Sequence, residues 1–262
     1  MGPHHFVTVD AETEAIQEGV RAISALREEV EAREGIDIPL VWFVRFQRGW
    51  QEYVDNDAPA AFEGPMTTGY DGFELAGDQL RELVGRGDEV GWHYHAYHYV
   101  HRDDIPPAAR LEILRADLTA CARELRTRHP EFEVQSFRFG WFFVPDYGLY
   151  DHLKTLGISR DASIHPEVGG EPVAAFSARF LLPLATVPTR LDGFALFPYT
   201  DTLLVHDWQV VAHDFGWSRL DAPDVPERRR ELTGELSAIA ARLKRDGGEF
   251  LTYATAPPSL LE

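Results

Sequence analysis

Four histidines lie within nine residues of this chain, and they are its strongest chemical signal: His93, His95, His98 and His101. A single histidine at the end of a strand is more often a satisfied hydrogen-bonding group than a metal ligand. Chance seldom places four of them in one short segment. Because neutral imidazole nitrogens are common zinc ligands, we expect this histidine segment to bind a divalent cation.

Other polar residues follow apolar runs that read as strands. Asp10 and Glu12 come after the run 6–9, and His213 with Asp214 ends another apolar run. Arg138 lies inside a third run. Because the carboxyl ends of parallel strands meet at one edge of a sheet, we expect these groups to lie near the histidine segment. Simpler interpretations stay open: Asp10 also suits a helix cap, and Arg138 a structural ion pair.

The elements that must position these groups alternate along the chain. Short, continuously apolar runs predict strands, and apolar residues three and four apart predict helices. The predicted strands are 6–9, 38–44, 89–93, 134–139, 159–164, 194–197, 209–212 and 250–253. The predicted helices are 16–34, 75–84, 106–125, 147–156 and 226–244. Such alternation implies βαβ units and a parallel sheet, either a barrel or a doubly wound sheet.

Composition excludes several classes of protein. With 262 residues and one cysteine, Cys121, the chain has neither a disulfide framework nor a cysteine zinc site. Its formal net charge of −18 disfavours nucleic acid and anionic membranes as partners. No apolar run approaches the length of a membrane span. The first residues lack a basic start followed by an apolar stretch, so we expect a cytoplasmic protein.

Several segments, each weak alone, occur in a recognisable order. Residues 7–12 read VTVDAE, 87–93 read GDEVGWH, 137–141 read FRFGW and 210–214 read VVAHD. In this order they resemble the T-F-D-D, G-H-E-I-G-x-H, arginine and L-x-L-H motifs of the polysaccharide deacetylase family, the NodB-homology or carbohydrate esterase 4 superfamily. The runs 38–44 and 151–163 resemble two further family segments. The match implies one domain over 1–262, an α/β fold of the distorted (β/α)7-type barrel with parallel strands.

The sequence departs from the family pattern near the expected metal ligands. Ala11 stands where many members have a ligand aspartate, and Glu12 follows one position later. The family's second histidine lies four residues after the first, which here is Tyr97, flanked by His95 and His98. The second histidine ligand is therefore open between these two.

The resemblance implies a metal-dependent hydrolase that removes the N-acetyl group from an amino sugar. Asp10 is then the general base, Arg138 orients it, and His213 is the general acid. A nitrogen-rich ligand set favours zinc. The implied ligands are Glu12, His93 and His98, with His95 as the alternative to His98.

Four aromatic residues in or beside the motifs are candidates for stacking on sugar rings: Trp92, Tyr97, Trp141 and Trp208. Core packing is an equally good interpretation for any one of them. Trp141 follows Gly140 where the family usually has Pro-Tyr, and Asp207-Trp208 only echoes the family's D-x-x-D-W motif.

The implied substrate is a small saccharide or a nucleotide- or lipid-linked sugar precursor. Two other functions stay open. One is metal-free hydrolysis of a non-sugar C–N bond, with which Ala11 is compatible. The other is a saccharide-binding protein that has the fold but no turnover.

Overall fold

The computed structural model describes residues 3–13, 15–49, 68–96, 105–140, 148–163, 189–191, 194–197, 202–211 and 225–261. Over these residues the chain forms ten strands and five α-helices. The strands are β1 His4–Ala11, β2 Val41–Gly49, β3 Thr68–Asp71, β4 Glu89–Tyr94, β5 Ser136–Phe139, β6 Arg160–Asp161, β7 Thr189–Leu191, β8 Phe194–Leu196, β9 Thr202–His206 and β10 Glu249–Leu251. The helices are α1 Ile16–Glu34, α2 Gly72–Gly85, α3 Pro107–Arg128, α4 Gly148–Thr155 and α5 Val225–Asp246.

The strands pair mainly in parallel, so the predicted α/β fold with parallel strands, of the distorted (β/α)-barrel type, is confirmed. β1 pairs in parallel with β2, β9 and β10. The succession β4, β5, β6 and β8 is also parallel. The antiparallel pairs are β2 with β3 and β7 with β8, and neither β3 nor β7 was predicted.

One predicted strand is wrong. The run 209–212 was predicted to be extended, but Asp207–Gln209 forms a 3-10 turn and the two valines that follow lie in a bend. Val210 and Val211 are buried all the same, which accounts for their apolar character. Burial does not require extended backbone, and the strand lies earlier, at β9.

Contacts divide the chain into two compact units. Unit 1 comprises Met1–Val44, Gly72–Val90 and Asp201–Ala256, and unit 2 comprises Arg45–Asp71, Gly91–Thr200 and Pro257–Glu262. The prediction of a single domain over 1–262 stays a prediction. Within the described part of the chain, no helix is both long enough and apolar enough to cross a membrane.

In unit 1, helix α1 buries the stripe predicted from its spacing and packs against α2 and α5. Gly35 ends this helix with φ of 64°, a left-handed conformation that suits glycine. Arg27 lies on the same buried face. A charged group there requires a buried partner.

That partner is Asp88, in the loop before β4. Arg27 Nη1 lies 2.7 Å from both carboxylate oxygens. The same carboxylate accepts the Leu40 main-chain N–H at 3.1 Å and the Trp42 indole N–H at 2.9 Å. A single buried carboxylate thus ties α1 to the start of β2 and to the loop that leads into β4.

In unit 2, the aromatic residues of β4 and β5 form the centre of the core. Trp92 packs edge-on against Tyr94 and Phe137, and Phe137 packs against Phe139. Helix α3 buries its predicted apolar face, including Cys121. Cys121 is therefore a core residue, and burial raises the pKa of its thiol.

Removing the Arg27 side chain should destabilise the protein strongly, because Asp88 would remain buried without its cationic partner. We expect Arg27→Ala to lower the free energy of unfolding by about 3–5 kcal/mol, measured by urea denaturation. Arg33→Ala is the matched control: this arginine lies on the same helix, 47% exposed, beside Glu29 and Glu34. It should cost less than about 1 kcal/mol, and equal losses would contradict the role given to Arg27.

Candidate functional site

In unit 1, Asp10 and His206 lie side by side near the ends of two paired strands. They are register partners in the parallel ladder of β1 and β9, so their side chains leave the sheet on one face. His206 Nε2 lies 3.8 Å from Asp10 Oδ2. Asp10 is almost fully buried, whereas 24% of the His206 side chain is exposed. The pair joins a carboxylate, which can accept a proton, to an imidazole that solvent can reach.

Sequence reasoning missed His206. Its signal was present, because residues 203–207 read LLVHD, an apolar run followed by His-Asp. Residues 210–214 read VVAHD and carry the same pattern, so the pattern alone does not choose between them. His213 lies outside the described residues, and its role stays a prediction. The pairing of β9 with β1 is what places a histidine beside Asp10.

The neighbouring Asp207 holds the loop that follows β1. Its side chain is fully buried, and Oδ2 accepts the Thr13 hydroxyl at 2.7 Å. The same oxygen accepts the main-chain N–H groups of Thr13 at 3.0 Å and Glu12 at 3.2 Å. Because Gly19 lies against it, a Cβ added there would sit 2.6 Å from the Asp207 Cβ. Asp207 therefore fixes the main chain at Glu12, the predicted metal ligand.

Ala11 lies between Asp10 and Glu12 and has no exposed surface. A methyl side chain offers no ligand atom, so position 11 cannot supply the carboxylate ligand that many family members have there. Glu12, which is half-buried, is the next carboxylate along the chain.

In unit 2, the predicted histidine segment brings His93 and His95 together. Their Nε2 atoms lie 2.9 Å apart, and their rings are nearly perpendicular, at 88°. Both residues are buried, 2% and 5% exposed. His93 lies in β4, and His95 comes directly after that strand ends at Tyr94. His98 lies outside the described residues, and its predicted ligand role stays a prediction.

The spacing of these nitrogens fits a metal ion. Zinc–nitrogen bonds of about 2.0–2.1 Å in a tetrahedral site place two nitrogen ligands about 3.3 Å apart. The observed 2.9 Å therefore needs to open by only a few tenths of an ångström. Two imidazole nitrogens that converge inside a protein are a donor pair typical of zinc.

Two neighbours position the His95 side of this pair. Gln47 Nε2 donates a hydrogen bond to the His95 carbonyl oxygen at 3.1 Å. The ring itself rests against Gly140, where an added Cβ would lie 2.4 Å from ring atoms Cε1 and Nδ1. Glycine at this position, which departs from the family's Pro-Tyr, is what leaves room for the imidazole.

Arg138 lies on β5 in register with His93 on β4 and has no exposed surface. Its Nε donates to the Ala162 carbonyl oxygen at 3.1 Å. The guanidinium therefore has a fixed anchor in unit 2. The predicted action of Arg138 on Asp10 stays a prediction.

In unit 2, Asp161 is a buried carboxylate close enough to Arg138 to feel its charge. Burial raises the pKa of Asp161 to about 6, against the opposing effects of hydrogen bonds from Ser163 and Tyr150 and of the Arg138 charge. The Tyr150 hydroxyl donates at 3.0 Å and the Ser163 main-chain N–H at 3.1 Å. The Ser163 hydroxyl also donates to this carboxylate.

The candidate sugar-stacking residues divide by position. Trp92 is fully buried, and its indole N–H donates to the Phe46 carbonyl oxygen at 2.9 Å. A ring with no exposed face has none to offer a sugar, so core packing is the interpretation that fits Trp92. Tyr97 and Trp141 lie outside the described residues, and Trp208 is described only as part of a 3-10 turn.

No protein-family model and no curated protein matches the chain. Among solved structures, it is similar to a family 4 carbohydrate esterase from Streptomyces lividans in complex with acetate, at 12% identity and a TM-score of 0.44, over 96% of this chain and 92% of the esterase.

Two further structures are similar to the chain. A peptidoglycan deacetylase from Bdellovibrio bacteriovorus shares 13% identity at a TM-score of 0.40, over 99% of this chain and 54% of that protein. A CE4 family pseudoenzyme from Bacillus anthracis shares 12% identity at a TM-score of 0.44, over 100% and 67% of the two chains. The three structures, a family 4 esterase, a peptidoglycan deacetylase and a CE4 pseudoenzyme, are of the family that the ordered motifs of this chain resemble.

A methyl group at position 140 should displace His95. We expect Gly140→Ala to weaken zinc binding by about 10–100-fold, the usual effect of disturbing a group that orients a ligand. Competition with a chelating dye measures this affinity. Gly85→Ala is the control, because nothing lies within 4 Å of an added Cβ there. Unchanged zinc affinity in Gly140→Ala would show that His95 is not a ligand.

Asp161 should make stability fall as pH rises. Its folded pKa of about 6 lies above the unfolded value of about 3.9, so the folded state keeps a proton that the unfolded state has released. The stabilisation is complete below about pH 4 and lost as pH rises through about 6. Relative to Asp161→Asn, the wild type should lose about 3 kcal/mol between about pH 4 and 7.

Urea unfolding across this pH range measures the difference. Asp78→Asn is the control, because that carboxylate is 97% exposed and changes its surroundings little on folding. A pH-independent difference between the wild type and Asp161→Asn would show that Asp161 does not carry this linkage.

Proposed function

We propose that this protein is a metal-dependent hydrolase that removes the acetyl group from an N-acetylated amino sugar. The observation that carries the proposal is the buried His93–His95 pair, whose Nε2 atoms converge to 2.9 Å. The ordered motifs and their resemblance to polysaccharide deacetylases support the same reaction.

The proposed ligands are Glu12, His93 and His95, which together offer one carboxylate oxygen and two imidazole nitrogens. This donor set suits zinc. When bound, such an ion lowers the pKa of water and polarises a carbonyl group. His98 remains an alternative ligand to His95 in this proposal.

Asp10 and His206 have complementary proton chemistry. In the proposal the Asp10 carboxylate accepts a proton from the attacking water, and a His206 imidazolium gives one to the leaving amine. The support is their separation of 3.8 Å and the partial exposure of His206, which allows contact with a substrate. This assigns to His206 the acid role that the family resemblance implies for His213.

The substrate is proposed to be an N-acetylated amino sugar, free or linked to a nucleotide or lipid. The test panel therefore includes free N-acetylated sugars, short N-acetylated oligosaccharides and N-acetylated nucleotide sugars. Acetate release is measured on each, with zinc content determined on the same samples.

His206→Ala should separate proton transfer from metal binding. We expect kcat to fall by about 10²–10⁴-fold, with zinc content unchanged and KM little affected, because a transition-state interaction is lost. His93→Ala should lose zinc and activity together. His152→Ala, on α4, is the matched histidine control and should keep both, because its ring hydrogen-bonds to the Arg115 carbonyl oxygen and the Thr119 hydroxyl of helix α3.

Each other outcome identifies a different function. Loss of zinc in His206→Ala would make His206 a ligand. Zinc-loaded wild type that binds saccharides but releases no acetate would be a saccharide-binding protein. Hydrolysis that persists after complete zinc removal would favour the metal-free alternative with which Ala11 is compatible.

A further inference from the structure

Residues Asp161, Ala162 and Ser163 wrap closely around the end of β5. The Ala162 main-chain N–H donates to the Phe137 carbonyl oxygen at 2.9 Å, which continues the ladder of β5 and β6. The Ala162 carbonyl in turn receives the Arg138 Nε–H at 3.1 Å. The segment 161–163 therefore contacts both the main chain of β5 and the side chain of Arg138.

Ser163 joins the two halves of this arrangement. Its hydroxyl oxygen accepts the Phe139 main-chain N–H at 2.8 Å, and its hydroxyl proton goes to Asp161 Oδ1. Ser163 has no exposed surface, and Asp161 is 1% exposed. Since Phe139 follows Arg138 directly, one hydroxyl links the buried carboxylate to the backbone that carries the guanidinium.

We infer that Asp161 and Ser163 are positioning residues that hold Arg138 in the orientation its reaction requires. The inference rests on the proposed function and on the role that the family resemblance implies for Arg138, which is to orient the base Asp10. We do not propose that either residue contacts the substrate.

The chemistry of arginine explains why Arg138 needs residues that position it. The guanidinium ends a long, flexible side chain, and it orients another group usefully only when its rotation is restricted. Burial beside a carboxylate supplies an opposite charge, and the Ala162 carbonyl supplies a fixed acceptor at Nε. Without the Ser163 hydroxyl, the Phe139 N–H and the Asp161 carboxylate would each lose a buried partner.

A purely structural role for Ser163 predicts lower stability and an unchanged Arg138. If Ser163 positions Arg138, the Arg138 side chain becomes more mobile without it. We measure this mobility in zinc-loaded protein by nitrogen-15 relaxation and hydrogen exchange of the Arg138 side-chain Nε–H. We expect exchange at least about tenfold faster in Ser163→Ala and wild-type behaviour in Ser163→Thr, which keeps the hydroxyl. Ser159→Ala is the control, because that hydroxyl hydrogen-bonds to the exposed Gln135 side chain and to no other side chain of the described residues.

A double-mutant cycle on kcat tests whether Asp161 acts through Arg138. Asp161→Asn should lower kcat about tenfold in the wild type but less than twofold in an Arg138→Lys background, because a residue that acts through Arg138 has little left to position. KM and zinc content should stay near wild type. Asp161→Asn also serves as the second variant if Ser163→Ala does not fold.

The outcomes separate the two proposals. Unchanged exchange at Arg138 Nε in both Ser163→Ala and Asp161→Asn, or equal kcat losses in the two backgrounds, would overturn the positioning role. Faster exchange at Arg138 with no acetate release from any wild-type sample would instead overturn the proposed function, and leave the anchoring of Arg138 by the segment 161–163 standing.

Discussion

The Asp207 carboxylate is the interaction on which the geometry of unit 1 depends. One buried oxygen accepts two main-chain N–H groups and a hydroxyl from the loop after β1. Its own position is fixed because it follows His206, the last residue of β9. The strand ladder thus sets where Asp10 and His206 lie, and Asp207 sets where the chain turns towards Glu12 and α1.

Other buried carboxylates also accept hydrogen bonds that hold neighbouring segments in place. Asp88 ties α1 to β2 through an arginine, an indole and a main-chain N–H, and Asp161 ties the segment after β6 to Tyr150. Each is satisfied by several donors, as a buried anion must be. Among the 43 acidic residues of the chain, these buried carboxylates define the local geometry of the main chain around them.

The sequence predicted what depends on local spacing. Apolar periodicity located the five helices of the described residues, and the clustering of histidines located the segment in which His93 and His95 converge. It did not locate β9, because two runs end in His-Asp and only pairing with β1 distinguishes them. Nor did it show that Trp92 faces the interior, since alternation along β4 has no absolute direction until the partner strands are known.

The His95 ring occupies the space that a side chain at position 140 would fill, so two positions 45 residues apart constrain each other sterically. A larger side chain at one position excludes an imidazole at the other, so the two should change together wherever chains of this kind diverge. If the proposed zinc site is present, a chain with a bulkier residue at position 140 would need its second nitrogen ligand from elsewhere in the histidine segment. The position of the second ligand in such a site would depend on the residue that follows β5 as well as on the histidine segment.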